Sequence, residues 1–230
     1  MKLFVVIGLG QFGRHVASTL HEGGGDVIAI DRDEKRVEDI KDSVGQAVCM
    51  DATDVSALRA VEAHKAQTAV VSLGEKDLEG SILTTAALSD LGVGNIIVRA
   101  SNELHGRILR RVGATRLVYP EKQMGEHIAK SILMSGVIEQ VTLPTGQTVA
   151  QIRARRDLVG KTLKDAQLRA RFSINVIGVQ HQRSVIDDEG ETHVEMVLES
   201  MPNPETVIEE DDILVVVGTQ AQIENVARKD

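Results

Sequence analysis

The sequence predicts an α/β fold. A Rossmann-like doubly wound parallel sheet should lead through a crossover helix into a small α+β domain. Three observations point there. Short apolar runs alternate with helix-period segments over the first 120 residues, the rhythm of strand–helix–strand crossovers. The first run, Leu3–Ile7, passes straight into Gly8-Leu9-Gly10-Gln11-Phe12-Gly13, which fits the G-x-G-x-x-G pattern of a phosphate-binding turn. From about Gln140 the rhythm changes, and strands outnumber helices.

The elements follow in order. Leu3–Ile7 is apolar throughout, as a strand must be when helices cover both faces of its sheet. In the glycine turn, Gly8 permits the tight bend, Gly10 admits a phosphate to the backbone, and Gly13 lets the next helix pack on the strand. That helix runs over 14–21 with Val16, Ala17 and Leu20 on one side, and its free N-terminal amides face an anion. The second strand, 26–30, ends at Asp31, about 20 residues after the motif, where an acid meets ribose hydroxyls. A helix over 33–40, a strand over 47–50 and a helix capped by Asp54 follow. Further strands are expected over 68–73, 95–98 and 116–119, each followed by a helix.

In such a sheet ligands lie beyond the carboxyl ends of the strands. The candidate residues are therefore Gly8, Gly10, Gln11, Asp31, Arg32, Asp51, Ala52, Thr53, Ser72, Leu73, Gly74, Arg99 and Glu121. Arg99 reads equally as a phosphate partner, by its planar fork, or as a solvated strand-end charge. Glu121 reads as a first-turn helix acid, or as a carboxylate that holds a cation against a phosphate. A helix over 123–135 carries Met124, Ile128 and Ile132, with Ser131, on one face. No strand follows it at once, so it is expected to cross to the second domain or to a partner. Domains are expected at 1–138 and 139–230.

Beyond it, strands are expected over 140–143 and 148–154 around Pro144-Thr145-Gly146. A helix lies within 158–171, and strands over 174–179 and 193–198 flank the polar turn 187–190. The acidic run 209–212 reads as a solvated turn before an apolar strand, 213–217, and a last helix from Ala221 to Val226.

Composition narrows the function. The chain has 230 residues, 42% hydrophobic, no Trp and a formal net charge of −8. The negative balance argues against a nucleic-acid footprint, and a DNA-binding regulator would need a basic recognition helix that the sequence does not show. No run approaches a membrane span, and the N-terminus goes directly into a strand, so a cytoplasmic protein is expected. The single cysteine, Cys49, reads as a buried small hydrophobe in an apolar run. A dehydrogenase would need an acid or base brought to the nicotinamide. The second half offers no nucleophile motif, no cysteine cluster and no paired metal histidines. His181 and His193 facing each other across the hairpin would supply only two ligands. A binding module without turnover is expected, with an NAD-dependent oxidoreductase or NAD(H)-sensing regulator as the alternative.

Val5–Gly13, Asp31, Asp51–Thr53, the segment Tyr119-Pro120-Glu121-Lys122-Gln123-Met124-Gly125, and the tail Gly160–Leu163, Gly178-Val179 and Glu210–Gly218 resemble the RCK family of potassium-conductance regulators. The likeness is greatest to the single-unit Ktr/TrkA-type subunits of bacterial potassium uptake, and it covers essentially the whole chain. The resemblance implies a cytosolic subunit, peripheral on the inner face of the membrane, that gates an integral-membrane potassium transporter. It implies a homodimer assembling to an octameric ring, with no nucleic acid bound.

By the same resemblance Asp31 holds the ribose and Asp51 to Thr53 face the adenine. Arg99 neutralises phosphate, and Glu121 meets a divalent cation. Gly8, Gly10, Gln11, Phe12 and Gly13 form the phosphate turn, with Arg32, Ser72, Leu73 and Gly74 along the cleft. ATP-sensing relatives commonly carry Arg where this chain has Gln11, which leaves ATP, ADP, NAD and NADH open. Asp31 disfavours NADP. Arg169, Phe172, Asn175 and Pro204 mark a second-ligand position where some relatives bind cyclic di-AMP.

Overall fold

Strand β1, Leu3–Ile7, is paired on both sides, to β2 (Asp26–Asp31) and β4 (Thr68–Val71). The structure is a computed structural model, and it describes residues 2–74, 77–133, 136–186 and 192–227. With β3 (Gln46–Cys49), β5 (Ile96–Arg99) and β6 (Arg116–Val118), these strands form a parallel sheet in the order β3-β2-β1-β4-β5-β6. Val5 and Ile7 point to one face and join Ile28, Ile30, Val71 and Val98. Val6 points to the other, with Leu9, Ala17, Val27, Ala29 and Val70. Each face therefore has its own core, which is why the strands are apolar at every position rather than at every second one.

Helices α1 (Gln11–Glu22), α2 (Glu34–Glu38), α3 (Val55–Ala60), α4 (Leu78–Asp90) and α5 (Glu103–Arg111) supply the crossovers. Their starts follow the side-chain capping rule. Asp33 accepts from the Lys35 amide, Asp54 from those of Ser56 and Ala57, Asp77 from that of Gly80, and Asn102 from that of His105. Helix α1 is the exception. Its N-cap, Gly10, has no side chain, and no acid lies in its first turn.

Helix α6 spans Pro120–Leu133. It starts three residues earlier than the pattern suggests, because proline is favoured at the first helical position, where no amide hydrogen bond is missing. Two compact units, Met1–Gln123 and Met124–Asp230, divide within α6. The sequence-based boundary at 138 falls just after it.

The second unit is an antiparallel sheet in the order β10-β9-β11-β8-β7. Its strands are β7 (Val137–Thr142), β8 (Thr148–Arg153), β9 (Asn175–Ile186), β10 (Thr192–Ser200) and β11 (Ile213–Gly218). Val137, Ala150, Ile152, Leu214, Val216 and the last helix, α9 (Gln220–Ala227), close a second core. The helix expected within 158–171 is two short ones, α7 (Leu163–Ala166) and α8 (Leu168–Phe172). Gln167 between them takes the left-handed φ of 49°, which no continuous helix contains. The expected polar turn 187–190 lies outside the described residues, as does Ser131 as a side chain.

Two sequence expectations are corrected. Cys49 is exposed, because β3 is the edge strand and its last residue has no neighbour beyond it. His181 and His193 do not face each other: His181 lies opposite Val197, and His193 opposite Val185.

Candidate nucleotide site

The glycine turn is held by the ends of three strands. The Gly8 amide donates to the Ile30 carbonyl at 2.8 Å, and the Ser72 amide donates to the Ile7 carbonyl at 2.7 Å. The Ser72 hydroxyl donates to the Gly8 carbonyl at 2.5 Å. Gly8 itself has φ +89°, which only glycine adopts without strain. A side-chain carbon at Gly13 would collide with the Gly8 carbonyl and the Ser72 hydroxyl. Helix and strand thus touch through backbone alone at that point. No protein atom would obstruct a side chain at Gly10. The space beside Gly10 is cleft.

Asp31, 5% exposed, locks the turn to the second strand. Its Oδ2 accepts from the Leu9 amide at 2.6 Å and lies 3.3 Å from the Arg36 guanidinium. Its Oδ1 accepts from the Asp33 amide at 2.9 Å. A carboxylate has about four acceptor positions, so at least one remains for a ligand hydroxyl. Asp51 accepts from the Thr53 amide at 2.9 Å and from the Thr53 hydroxyl at 2.8 Å. The amide first, and then the hydroxyl, hold its carboxyl below the usual range. Arg99 and Glu121 form an ion pair with each other, with Glu121 the more exposed. Arg32 reaches Asp77 at 3.4 Å.

These groups line one cleft of about 740 Å³ at the carboxyl edge of the sheet. Of the sequence-predicted residues, Gly8, Gly10, Asp31, Arg32, Asp51, Ala52, Thr53, Ser72, Leu73, Gly74, Arg99 and Glu121 all face it. Gln11, Phe12 and Gly13 are not among its lining residues. They form the first turn of α1, whose leading amides lack helical partners. Sequence reasoning missed Arg36, Met50, Asp77, Gly80, Leu83 and Thr84, which also line the cleft. The signal for Gly80 and Thr84 was available: a glycine and a threonine in the first two turns of the helix after a central strand. The Thr84 hydroxyl is buried and has no protein partner among the described residues, so a polar ligand atom can satisfy it.

Arg169, Asn175 and Pro204 do come together, around a smaller cleft of about 250 Å³. Phe172 does not join them. Its half-buried ring packs on the second core, under the guanidinium groups of Arg171 and Arg155, 4.9 and 5.5 Å from its centroid. The acidic run is likewise no solvated turn at its end, for Asp212 is 1% exposed.

Fold and cleft together define a Rossmann-like nucleotide-binding architecture with an appended antiparallel domain. The TrkA-N domain model matches residues 4–120. Ktr system potassium uptake protein C of Bacillus subtilis (strain 168) is 34% identical over 222 residues, 96% of this chain and 94% of that protein. The chain belongs to the TrkA-N family and is a relative of the Ktr potassium uptake proteins. Among solved structures, the GsuK RCK domain superposes with a TM-score of 0.63 at 18% identity, over 99% of this chain and 48% of that one. The GsuK channel bound to NAD gives 0.50 at 24% identity, over 98% of this chain and 38% of that one. The chain thus spans about half, or less, of those solved chains. No described helix is long and apolar enough to cross a membrane.

Proposed function

We propose that the chain is a nucleotide-sensing regulatory subunit of a membrane potassium transporter, lying on the cytoplasmic face of the membrane. The observation that carries the nucleotide is the preformed cleft. A helix N-terminus without side-chain cap or acid, a glycine beside open space, and a buried carboxylate with an acceptor position left all converge on it. The transporter partner rests on membership of a family whose relative is named for potassium uptake.

In this reading Asp31 takes the ribose hydroxyls, and Asp51–Thr53 flank the base. Gly8, Gly10 and the amides of Gln11, Phe12 and Gly13 take phosphate. Arg32, Ser72, Leu73 and Gly74 shape the walls. Arg99 turns from Glu121 to a phosphate, and Glu121 then helps hold a divalent cation, whose remaining donors are phosphate oxygens and water. Residues 1–138 act as the nucleotide domain with its crossover helix. Residues 139–230 act as the regulatory domain, in which Arg169, Asn175 and Pro204 offer a place for cyclic di-AMP.

In this reading the subunit acts by binding rather than by turnover, as relatives named for potassium uptake suggest. Isothermal titration with NAD, NADH, ADP and ATP tests the site. Micromolar binding lost at least tenfold in Asp31→Asn, with the melting temperature of the free protein measured alongside, supports it. Unchanged affinity for every nucleotide rejects the cleft. Cyclic di-AMP titrated against wild type and Arg169→Ala tests the second place, and absence of heat rejects that ligand. Steady NADH turnover by purified protein would favour the oxidoreductase.

A further inference from the structure

In the second unit His181 lies on β9 and is 7% exposed. Both of its ring nitrogens meet carboxylates. Nδ1 is 2.9 Å from Asp212 Oδ1, and Nε2 is 3.4 Å from Glu199 Oε2. A neutral imidazole carries one N–H, so one of these two contacts would set a lone pair against a lone pair. Either a second proton or a metal ion on one nitrogen resolves the conflict.

The surroundings decide between the nitrogens. Glu199 is fixed on its other oxygen by the Thr206 hydroxyl at 2.9 Å, which leaves Oε2 to accept from Nε2–H. That is the carboxylate–histidine contact that normally backs a metal-bound imidazole and fixes its tautomer. Nδ1 is then left with its lone pair toward Asp212. Asp212 is fixed in turn, since its Oδ2 accepts from the Glu209 amide at 2.7 Å. The Glu209 carboxylate stands on the same side, and His181, Glu209 and Asp212 each offer a ligand atom within 4.8 Å of the others. Ligand atoms around tetrahedral zinc lie about 3.4 Å apart, so rotamer-scale shifts suffice. Glu209 is exposed and is paired only loosely with Arg183, at 3.6 Å. The site is therefore open to solvent on one side, with room for a water as fourth ligand.

Three carboxylates face one imidazole, and one of them, Asp212, is 1% exposed. A buried carboxylate is stabilised by a cation beside it. One nitrogen and two oxygens suit a d-block ion better than calcium or magnesium, which prefer all-oxygen shells. We propose that His181 Nδ1, Asp212 and Glu209 bind a divalent cation of the zinc class, with Glu199 as the positioning residue behind the imidazole.

The test uses the full chain, tag-free, stripped with chelator and free of nucleotide. It is dialysed against zinc chloride, and bound metal is counted by plasma emission. One zinc per chain is expected, together with a zinc-dependent rise in melting temperature. Cobalt substituted for zinc should give visible bands that His181→Ala abolishes. His181→Ala and Asp212→Asn should weaken zinc at least 100-fold. Glu199→Gln should weaken it about 10-fold, as loss of a backing carboxylate does. Because the buried variants can fail to fold, the exposed Glu209→Gln is the deciding one. It should melt as wild type without zinc and bind zinc at least 10-fold more weakly. No zinc retained by wild type at micromolar concentration overturns the proposal. So does unchanged zinc affinity in folded Glu209→Gln, which would place any bound zinc elsewhere.

Discussion

At Gly13 one methyl group is too many. Gly13→Ala would drive a carbon into the Gly8 carbonyl and the Ser72 hydroxyl, and overpacking of this kind costs about 1–3 kcal/mol. A thermal melt should show the loss, with nucleotide affinity falling alongside because the turn itself must move. The sequence motif made this residue legible, but not the reason at Ser72, which is 59 positions away in sequence and is brought in only by the sheet. His105 was not legible at all. It is 4% exposed, its Nε2 has no protein partner among the described residues, and its Nδ1 accepts weakly from the Ser101 amide. Burial pushes its pKa below the ordinary 6.5. The unfolded chain therefore takes up the proton first, and stability is retained above about pH 6.5 and falls as the pH drops below it. The slope approaches at most about 1.4 kcal/mol per pH unit for one proton. Denaturant melts at pH 7.5 and 5.5 should differ, and His105→Gln should narrow the difference. At Gln11, replacement by Arg would add a cation at the open start of α1. Competition titration should show ATP gaining on ADP by about tenfold, the scale of one charge-assisted hydrogen bond.

Among the elements, α6 leaves the most apolar surface uncovered. Met124, Ile128 and Ile132 are 57%, 51% and 76% exposed, four residues apart and so on one face. An apolar stripe of this kind can mark an interface, and we propose a second copy of the chain as its partner. Ile128→Asp should weaken self-association about 10–100-fold, read by light scattering across a dilution series. A monomeric wild type at micromolar concentration would remove the basis for this. Periodicity revealed the stripe, because helix spacing is a local property. It could not place Cys49, since exposure at a sheet edge depends on strand order. Nor could it split the helix at Gln167, whose left-handed backbone has no residue-type signal.

For the whole molecule, the parallel sheet and its cleft were readable because each crossover restates the same local grammar of strand, glycine or acid, and helix. The second unit was less so. Its antiparallel neighbours β9 and β11 are distant in sequence, and the His181–Asp212 contact spans 31 residues. Two nucleotides can switch a regulator between states only if they differ in preference for its two conformations, since equal affinity shifts nothing. Potassium flux through the reconstituted transporter should therefore respond to exchange of one nucleotide for another, and not merely to the presence of either. Flux that ignores every nucleotide while titration still shows binding would make the ligand a structural one.

Asp31 has a consequence of a kinetic kind. Its carboxylate already fastens the Leu9 amide, so under the proposed function the nucleoside half of the site would be set before any ligand arrives. Docking there demands no rearrangement, and association should run at the rate of an ordinary rigid encounter, about 10⁵–10⁷ M⁻¹s⁻¹. The phosphate half is different. In the proposed site Arg99, now paired with Glu121, would have to leave it to reach a phosphate. Ligands that share an adenosine should therefore arrive equally fast and differ in how long they stay, so the switch is a clock set by residence time.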